Sequence, residues 1–276
     1  MSNLLQRTLT GAIFVIAVIG SILIDYMLFA GVFVVFTVAG LWEFYSLQEK
    51  NYIRPLKIHG IITGLCIFLI TVFKNAELID IDHAEKYYFV IFLYILILFI
   101  IELYRKSEKA FQNISVCITG LIYIAIPLSI LISLPHIVTH ENSFDKVILI
   151  GFFLLLWTYD TFAYLTGIWL GKHRLFERIS PKKSWEGLIG GAVFCIGLAI
   201  LLSLNYSSLT TQQWIITAIL IIIFGTFGDL VESMLKRNLN IKDSGNFFPG
   251  HGGVLDRFDA VLLSAPFVYF YLKFFI

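Results

Sequence analysis

The feature that most constrains this chain is a series of apolar runs of about twenty residues, recurring from Leu9 to the last residue. A run of that length crosses the ~30 Å hydrocarbon core of a bilayer as a helix. Lipid leaves only helices and closed barrels as spanning structures, because every backbone polar group must be satisfied within the protein. Nine candidate spans are read near 8–24, 27–47, 58–74, 87–104, 115–135, 147–170, 185–204, 213–236 and 254–275. Charged residues make up 14% of the chain, where a soluble domain carries about 25%. The expected fold is therefore all-α: a polytopic integral membrane helical bundle forming a single domain over 1–276. The start of the chain, 1–20, is read as part of a retained first span, since no small-x-small cleavage site follows it.

The cationic residues set the expected orientation. With nine spans, all but four of the 20 Lys and Arg residues fall on the side of the N-terminus; Lys74, Lys86, Lys146 and Lys273 are the exceptions. Cytoplasmic loops carry such an excess, so the N-terminus is expected in the cytoplasm. The polar loops between spans six and seven and between spans eight and nine then face the cytoplasm too. Cys66, Cys117 and Cys195 lie in separate apolar stretches with no metal-type spacing, and are expected to be buried, unpaired small residues. The small residues of the seventh span, Gly187, Gly190, Gly191 and Gly197 among them, suggest close helix packing and a central place in the bundle.

Candidate chemistry concentrates between Asp229 and Asp259. Asp229, Glu232, Ser233, Lys236 and Arg237 recur at spacings of three and four, so a continuous helix lines them up as one polar stripe. Such a stripe is either a helix end with ion pairs and snorkelling cations, or a site; an acid directly after the apolar run 215–227 favours a site. Lys242 to Gly253 follows, with four glycines and a proline in nine residues around His251. This composition makes a loop, either an ordinary turn or a cradle whose backbone N–H groups approach a phosphate. Asp256 and Asp259, flanking Arg257, start the ninth span one turn apart. They could cap that helix or, together with Asp229, offer oxygen ligands to Mg²⁺ and hence to a nucleotide or polyphosphate. Upstream, Ser180, Lys182, Lys183 and Ser184 form either a phosphate contact or a basic cluster for anionic lipid. Asp160, inside an apolar span, is a site candidate or a structural hydrogen-bonding group, and Glu43 is a weaker case of the same kind.

The run from Ser233 to Asp259, with Lys236-Arg237, Lys242-Asp243, Gly245, Phe248-Pro249, His251-Gly252-Gly253 and Asp256-Arg257-Phe258-Asp259 at fixed spacing, resembles the signature of the phosphatidate cytidylyltransferase (CDP-diacylglycerol synthase) family. The similarity extends to 180–187 and to 160–164, and thins through the first five spans to a hydrophobic pattern.

That resemblance implies a reaction in which CTP and phosphatidate give CDP-diacylglycerol and pyrophosphate. It implies a requirement for Mg²⁺, held by Asp229 and Asp256 with Asp259 in support, and K⁺ as a second ion beside it. Lys236, Arg237, His251, Gly252 and Gly253 are expected at phosphates. Ser180, Lys182, Lys183, Ser184, Ser233, Lys242, Arg257 and Asp160 are expected around the substrates. A homodimer among membrane lipids is implied, with spans 1–135 as scaffold and dimer surface and 147–276 catalytic. The expected location is the inner (plasma) membrane with the site facing the cytoplasm, and no nucleic acid is expected as a partner. Two other readings stay open at this point: a CTP-dependent enzyme acting on another lipid, and an ion-coupled transporter built on Asp160 and Asp229.

Overall fold

The structure, a computed structural model, describes residues 3–50, 52–137, 144–250 and 252–276. Among these residues the nine expected segments all appear as helices. They are α1 (Asn3–Ile24), α2 (Tyr26–Glu49), α3 (Lys57–Asn75), α4 (Ile81–Arg105), α5 (Ala110–Leu131), α6 (Lys146–Leu170), α7 (Trp185–Asn205), α8 (Thr211–Asn238) and α9 (Leu255–Phe275). Eight are long and apolar enough to cross a membrane; α1 adds a shorter apolar stretch, Thr8–Ile24. The chain is a multi-pass membrane protein. A short antiparallel hairpin, β1 (Arg174–Phe176) and β2 (Ser180–Ser184), stands between α6 and α7, where the sequence reading placed only a loop.

Local chemistry sets the helix limits. Asp25, the residue between α1 and α2, has an extended backbone and its carboxylate accepts from the Met27 N–H at 2.8 Å. Asp80, Asp145 and Ser184 likewise cap α4, α6 and α7 with side-chain oxygens. α5 widens into a π-helical turn at Leu121–Ala125, just before Pro127, whose missing N–H disturbs the regular ladder.

The helices gather into two compact units. The first comprises Met1–Ser133 and Leu239–Phe258; the second comprises Leu134–Asn238 and Asp259–Ile276. In the first unit an aromatic cluster joins distant parts of the chain. Phe14 of α1 meets Phe248 and Phe258 edge-on, at 5.5 and 5.6 Å between ring centroids, and Phe36 of α2 lies 5.0 Å from Phe258. Aromatic pairs of this geometry add about 0.5–1.5 kcal/mol each beyond the area they bury. They fasten the 239–254 loop to the first two helices, and Thr10 Oγ1 donates to the Pro249 carbonyl as well. The loop, the early part of α1 and the far end of α2 thus share one side, as the span alternation expects.

In the second unit α7 sits on α6 through its glycines. A side chain at Gly191 would run into Tyr159 and Ala163, and Phe162 and Phe194 stack at 3.7 Å. The opposite face of α7, with Ile189, Val193, Leu201 and Leu204, is exposed. Small residues therefore seat this span tightly on α6, with α8 as its second neighbour, and its exposed face puts it at the edge of its unit, not at the centre. Cys66 departs from expectation too: it is exposed, while Cys117 and Cys195 are buried, and all three are free thiols. Outward-facing apolar side chains carry no penalty in lipid, which is why sequence could not separate the two cases.

α8 and α9 approach closely at Gly228, where any Cβ would collide with the Asp259 carbonyl and the Ala260 backbone. Above that point Phe224 stacks on Phe267 at 3.4 Å. Gly228→Ala is expected to push the two helices apart and cost about 1–3 kcal/mol, read as a lower melting temperature of the detergent-solubilised protein. Gly197→Ala is the control. It meets nothing within 4 Å and should be neutral or stabilising by up to about 1 kcal/mol.

Candidate active site

In the second unit the expected stripe forms because α8 runs unbroken through Arg237. Its 28 residues make a helix about 42 Å long, more than a bilayer core needs. Asp229, half-exposed, receives Lys183 Nζ from β2 at 2.6 Å and the Ser233 hydroxyl at 3.2 Å. Glu232, fully buried, pairs with Lys236 one turn on. Arg237 Nε donates to the Ile179 carbonyl at 3.5 Å and so ties the hairpin to the end of α8. Asp160 of α6 and Asp259 of α9 stand close enough for their charges to act on each other and on that of Asp229. The Gly228 contact sets Asp259 beside Asp229, and a hydrogen bond between Tyr159 and Thr226 joins α6 to α8 one helical turn away.

The hairpin separates two neighbours that the sequence reading treated together. Successive side chains on a strand point to opposite faces, so Lys183 reaches Asp229 while Lys182 is exposed. Ser180 opens β2. Ser184 is buried, and its hydroxyl accepts from the Gly187 N–H at 3.2 Å, capping α7. Glu186 holds the base of the hairpin by accepting from the Lys172 and His173 backbone N–H groups, and it contacts the His173 ring at 2.6 Å.

The glycine-rich loop belongs to the first unit and is organised by a residue the sequence reading ranked low. Glu43, nine-tenths buried near the end of α2, accepts from the backbone N–H of Val254 at 2.9 Å and of Leu255 at 3.2 Å. These are first-turn donors of α9 with no partner inside their own helix. The Ser244 hydroxyl also binds Glu43. Asp256 reaches back into the loop: its Oδ2 accepts from the N–H groups of Ser244 and Gly253 and lies 2.8 Å from the Ser244 hydroxyl. One hydroxyl hydrogen serves two carboxylates there, so the backbone donors carry the rest of the load.

The spacing of the loop glycines follows from these carboxylates. A Cβ at Gly245 would stand 2.5 Å from Glu43 Oε2, and one at Gly253 would overlap both Glu43 oxygens. Gly252 has φ +84°, a left-handed conformation that side chains disfavour, and it faces Asp256. Lys242 and Arg257 are exposed in this unit, and His251 lies outside the described residues. Glu43 could have been weighted higher from sequence. A carboxylate in an apolar span needs donors, and the Gly-rich loop is the part of the chain with accessible N–H groups.

The second unit gathers Asp160, Asp229, Glu232 and Asp259 against Lys183 and Lys236, an excess of acid. No group of three or more His, Cys, Asp or Glu side chains among the described residues forms a ready metal cage. That donor set fits Mg²⁺ in its usual mode of one or two carboxylates completed by water and substrate phosphates.

The site is thus a set of acids and cations gathered at the ends of membrane helices. The profile of the cytidylyltransferase family matches residues 5–275, and the chain belongs to that family, a group of nucleotidyltransferases. It is similar to the phosphatidate cytidylyltransferase of Bacillus subtilis (strain 168), 29% identical over 276 residues and covering 100% of both chains. The enzymes of the same name from Staphylococcus aureus (strain COL) and Staphylococcus saprophyticus are 30% and 32% identical, each over 94% of this chain and 95% of the relative.

Glu43→Ala is expected to loosen the loop by leaving two buried N–H groups unsatisfied, at about 1–3 kcal/mol each. Hydrogen–deuterium exchange should show faster exchange in peptides covering 244–255, with peptides of α6 and α7 unchanged. Gly253→Ala should have the same signature, because its methyl group displaces the Glu43 carboxylate.

Proposed function

We propose that this protein transfers the cytidylyl group of CTP to phosphatidate, forming CDP-diacylglycerol and pyrophosphate. The observation that carries the reading is the Asp229–Lys183 pair set among Asp160, Asp259 and Lys236 in a chain that matches the family over residues 5–275. The names of the relatives supply the lipid substrate. A different lipid acceptor is not favoured by those names, and an ion-coupled transporter has no need of cytidylyltransferase ancestry. In this reading the site faces the cytoplasm, which the Lys and Arg asymmetry supports; the inner (plasma) membrane and the homodimer are carried over from the family resemblance.

The chemistry asks for positioning and charge neutralisation more than for a base. The phosphatidate phosphate is ionised at neutral pH. One of its oxygens forms a bond to the α-phosphorus of CTP as the bond from that phosphorus to the bridging oxygen of the β-phosphate breaks. Pyrophosphate leaves with the electron pair. Bound Mg²⁺ would supply charge neutralisation on the phosphates. Asp229 and Asp259 offer it carboxylates in the second unit, while Asp256, the ligand implied by the signature, has Oδ2 committed to the loop. Lys183 and Lys236 pair with Asp229 and Glu232, and on substrate binding can turn to phosphate oxygens. The hairpin holds Lys183 over α8, while in the first unit the Gly253 N–H, expected at a phosphate, is taken by Asp256 Oδ2.

The test is pyrophosphate release by the purified protein with CTP, with and without phosphatidate, across a Mg²⁺ titration with and without K⁺. Release is expected only when both substrates and Mg²⁺ are present. Asp229→Asn should cut turnover at least a hundredfold, the equivalent of about 2.7 kcal/mol of barrier. Near-wild-type turnover of Asp229→Asn at saturating Mg²⁺ would sink the metal assignment. Asp256→Asn, measured in parallel with loop exchange, separates loss of loop order from loss of metal.

A further inference from the structure

We infer that a groove along α2 in the first unit binds an acyl chain of the lipid substrate and holds the lipid phosphate at its polar end. The inference rests on the phosphatidate reading above. The groove encloses about 710 Å³ and has one wall made by Val34, Val35, Val38, Ala39, Trp42 and Leu47. The facing wall is the loop segment from Ser244 to Phe247. The apolar stretch from Val34 to Leu47 is about 20 Å long, more than the ~15 Å depth of one hydrocarbon leaflet. Val35 and Trp42 are more than half exposed, so the groove opens on the flank of α2 that meets lipid.

Its polar end carries charge of the right sign. Lys50 lines it, and Lys57 lies over the Trp42 ring, 3.6 Å from the centroid, while donating to Ser46. Glu49 offsets part of the Lys57 charge at 4.0 Å. Glu43, which also lines the groove, is engaged by Val254, Leu255 and Ser244. An apolar trough ending in lysine and hydroxyl groups matches an anionic lipid, tail below and phosphate above. Ser244 distinguishes this place from ordinary lipid contact: it forms part of the groove wall and binds both Glu43 and Asp256, so an occupant would touch the loop that carries the family signature.

Filling the groove should handicap long-tailed phosphatidate relative to short-tailed phosphatidate. In mixed micelles with CTP held saturating, the ratio of kcat/KM for a dioleoyl over a dihexanoyl phosphatidate is measured for wild type, Ala39→Trp and the milder Ala39→Leu. The ratio is expected to fall about tenfold in Ala39→Trp, equivalent to about 1.4 kcal/mol, and less in Ala39→Leu, with the KM for CTP within twofold. Lys50→Ala should raise KM for both lipids and leave the ratio unchanged. An unaltered tail-length ratio in folded, active Ala39→Trp and Ala39→Leu overturns the groove while the reaction stands. A wild-type protein that makes no CDP-lipid from either phosphatidate overturns the function itself.

Discussion

A carboxylate buried in an apolar helix has to be supplied with donors, and in this protein Glu43 is supplied by the glycine-rich loop. Leaving such a group unsatisfied costs several times what a single hydrogen bond contributes. The loop therefore has little freedom in where it lies: Val254, Leu255 and Ser244 must all reach one side chain. The rest of the first unit is arranged to permit this. Glycines at 245 and 253 leave room for the carboxylate, Asp256 draws the loop tight from the other direction, and Phe248 and Phe258 pack it against α1 and α2. Packing and polar satisfaction support each other, so neither aromatic nor acidic residues alone account for the loop's position.

The second unit solves a different problem, which is to keep several acids close together in a membrane helix bundle. Gly228 lets α8 and α9 touch backbone to backbone, and this proximity sets Asp259 beside Asp229. Mutual repulsion is relieved by Lys183, brought in on a strand from outside the spans, and by Lys236 from the next turn of α8. The arrangement sets four carboxyl groups, Asp160, Asp229, Glu232 and Asp259, against two lysines. That excess is what a divalent ion accompanying a nucleotide would neutralise, which links the packing of two helices to the proposed reaction.

Much of this was legible in the sequence, for identifiable reasons. Apolar runs of spanning length admit one secondary structure in lipid, so the helices emerge close to their expected limits. The stripe from Asp229 to Arg237 is legible because a period of three and four survives only if α8 is continuous. Other features were hidden. The hairpin at 174–184 is short and carries a register shift, so it leaves little alternation to read. Glu43 looked like a lone polar residue because its partners lie 201 and more positions away. The edge position of α7 was hidden because glycines report close contact with one neighbour and say nothing about the other face. The grouping of 239–258 with the first five helices rests on aromatic contacts that no local pattern announces.

That long separation has a consequence for how the protein is made. Glu43 and Ser244 are 201 residues apart, and chains are synthesised at about 5–20 residues per second. For about 10–40 s after Glu43 is translated, the donors that will satisfy it do not yet exist. α2 must enter the bilayer carrying an acid whose partners are unmade, at a cost of the order of 2.5–3.5 kcal/mol if it sits as deep and as charged as an aspartate at a span's centre. Its place near the end of α2 lets the carboxylate stay at the interface during that interval. The first unit is finished only when the last helix begins, so a ribosome stalled before the loop has made eight helices, and the five of the first unit keep an open, acid-bearing face for quality control to recognise.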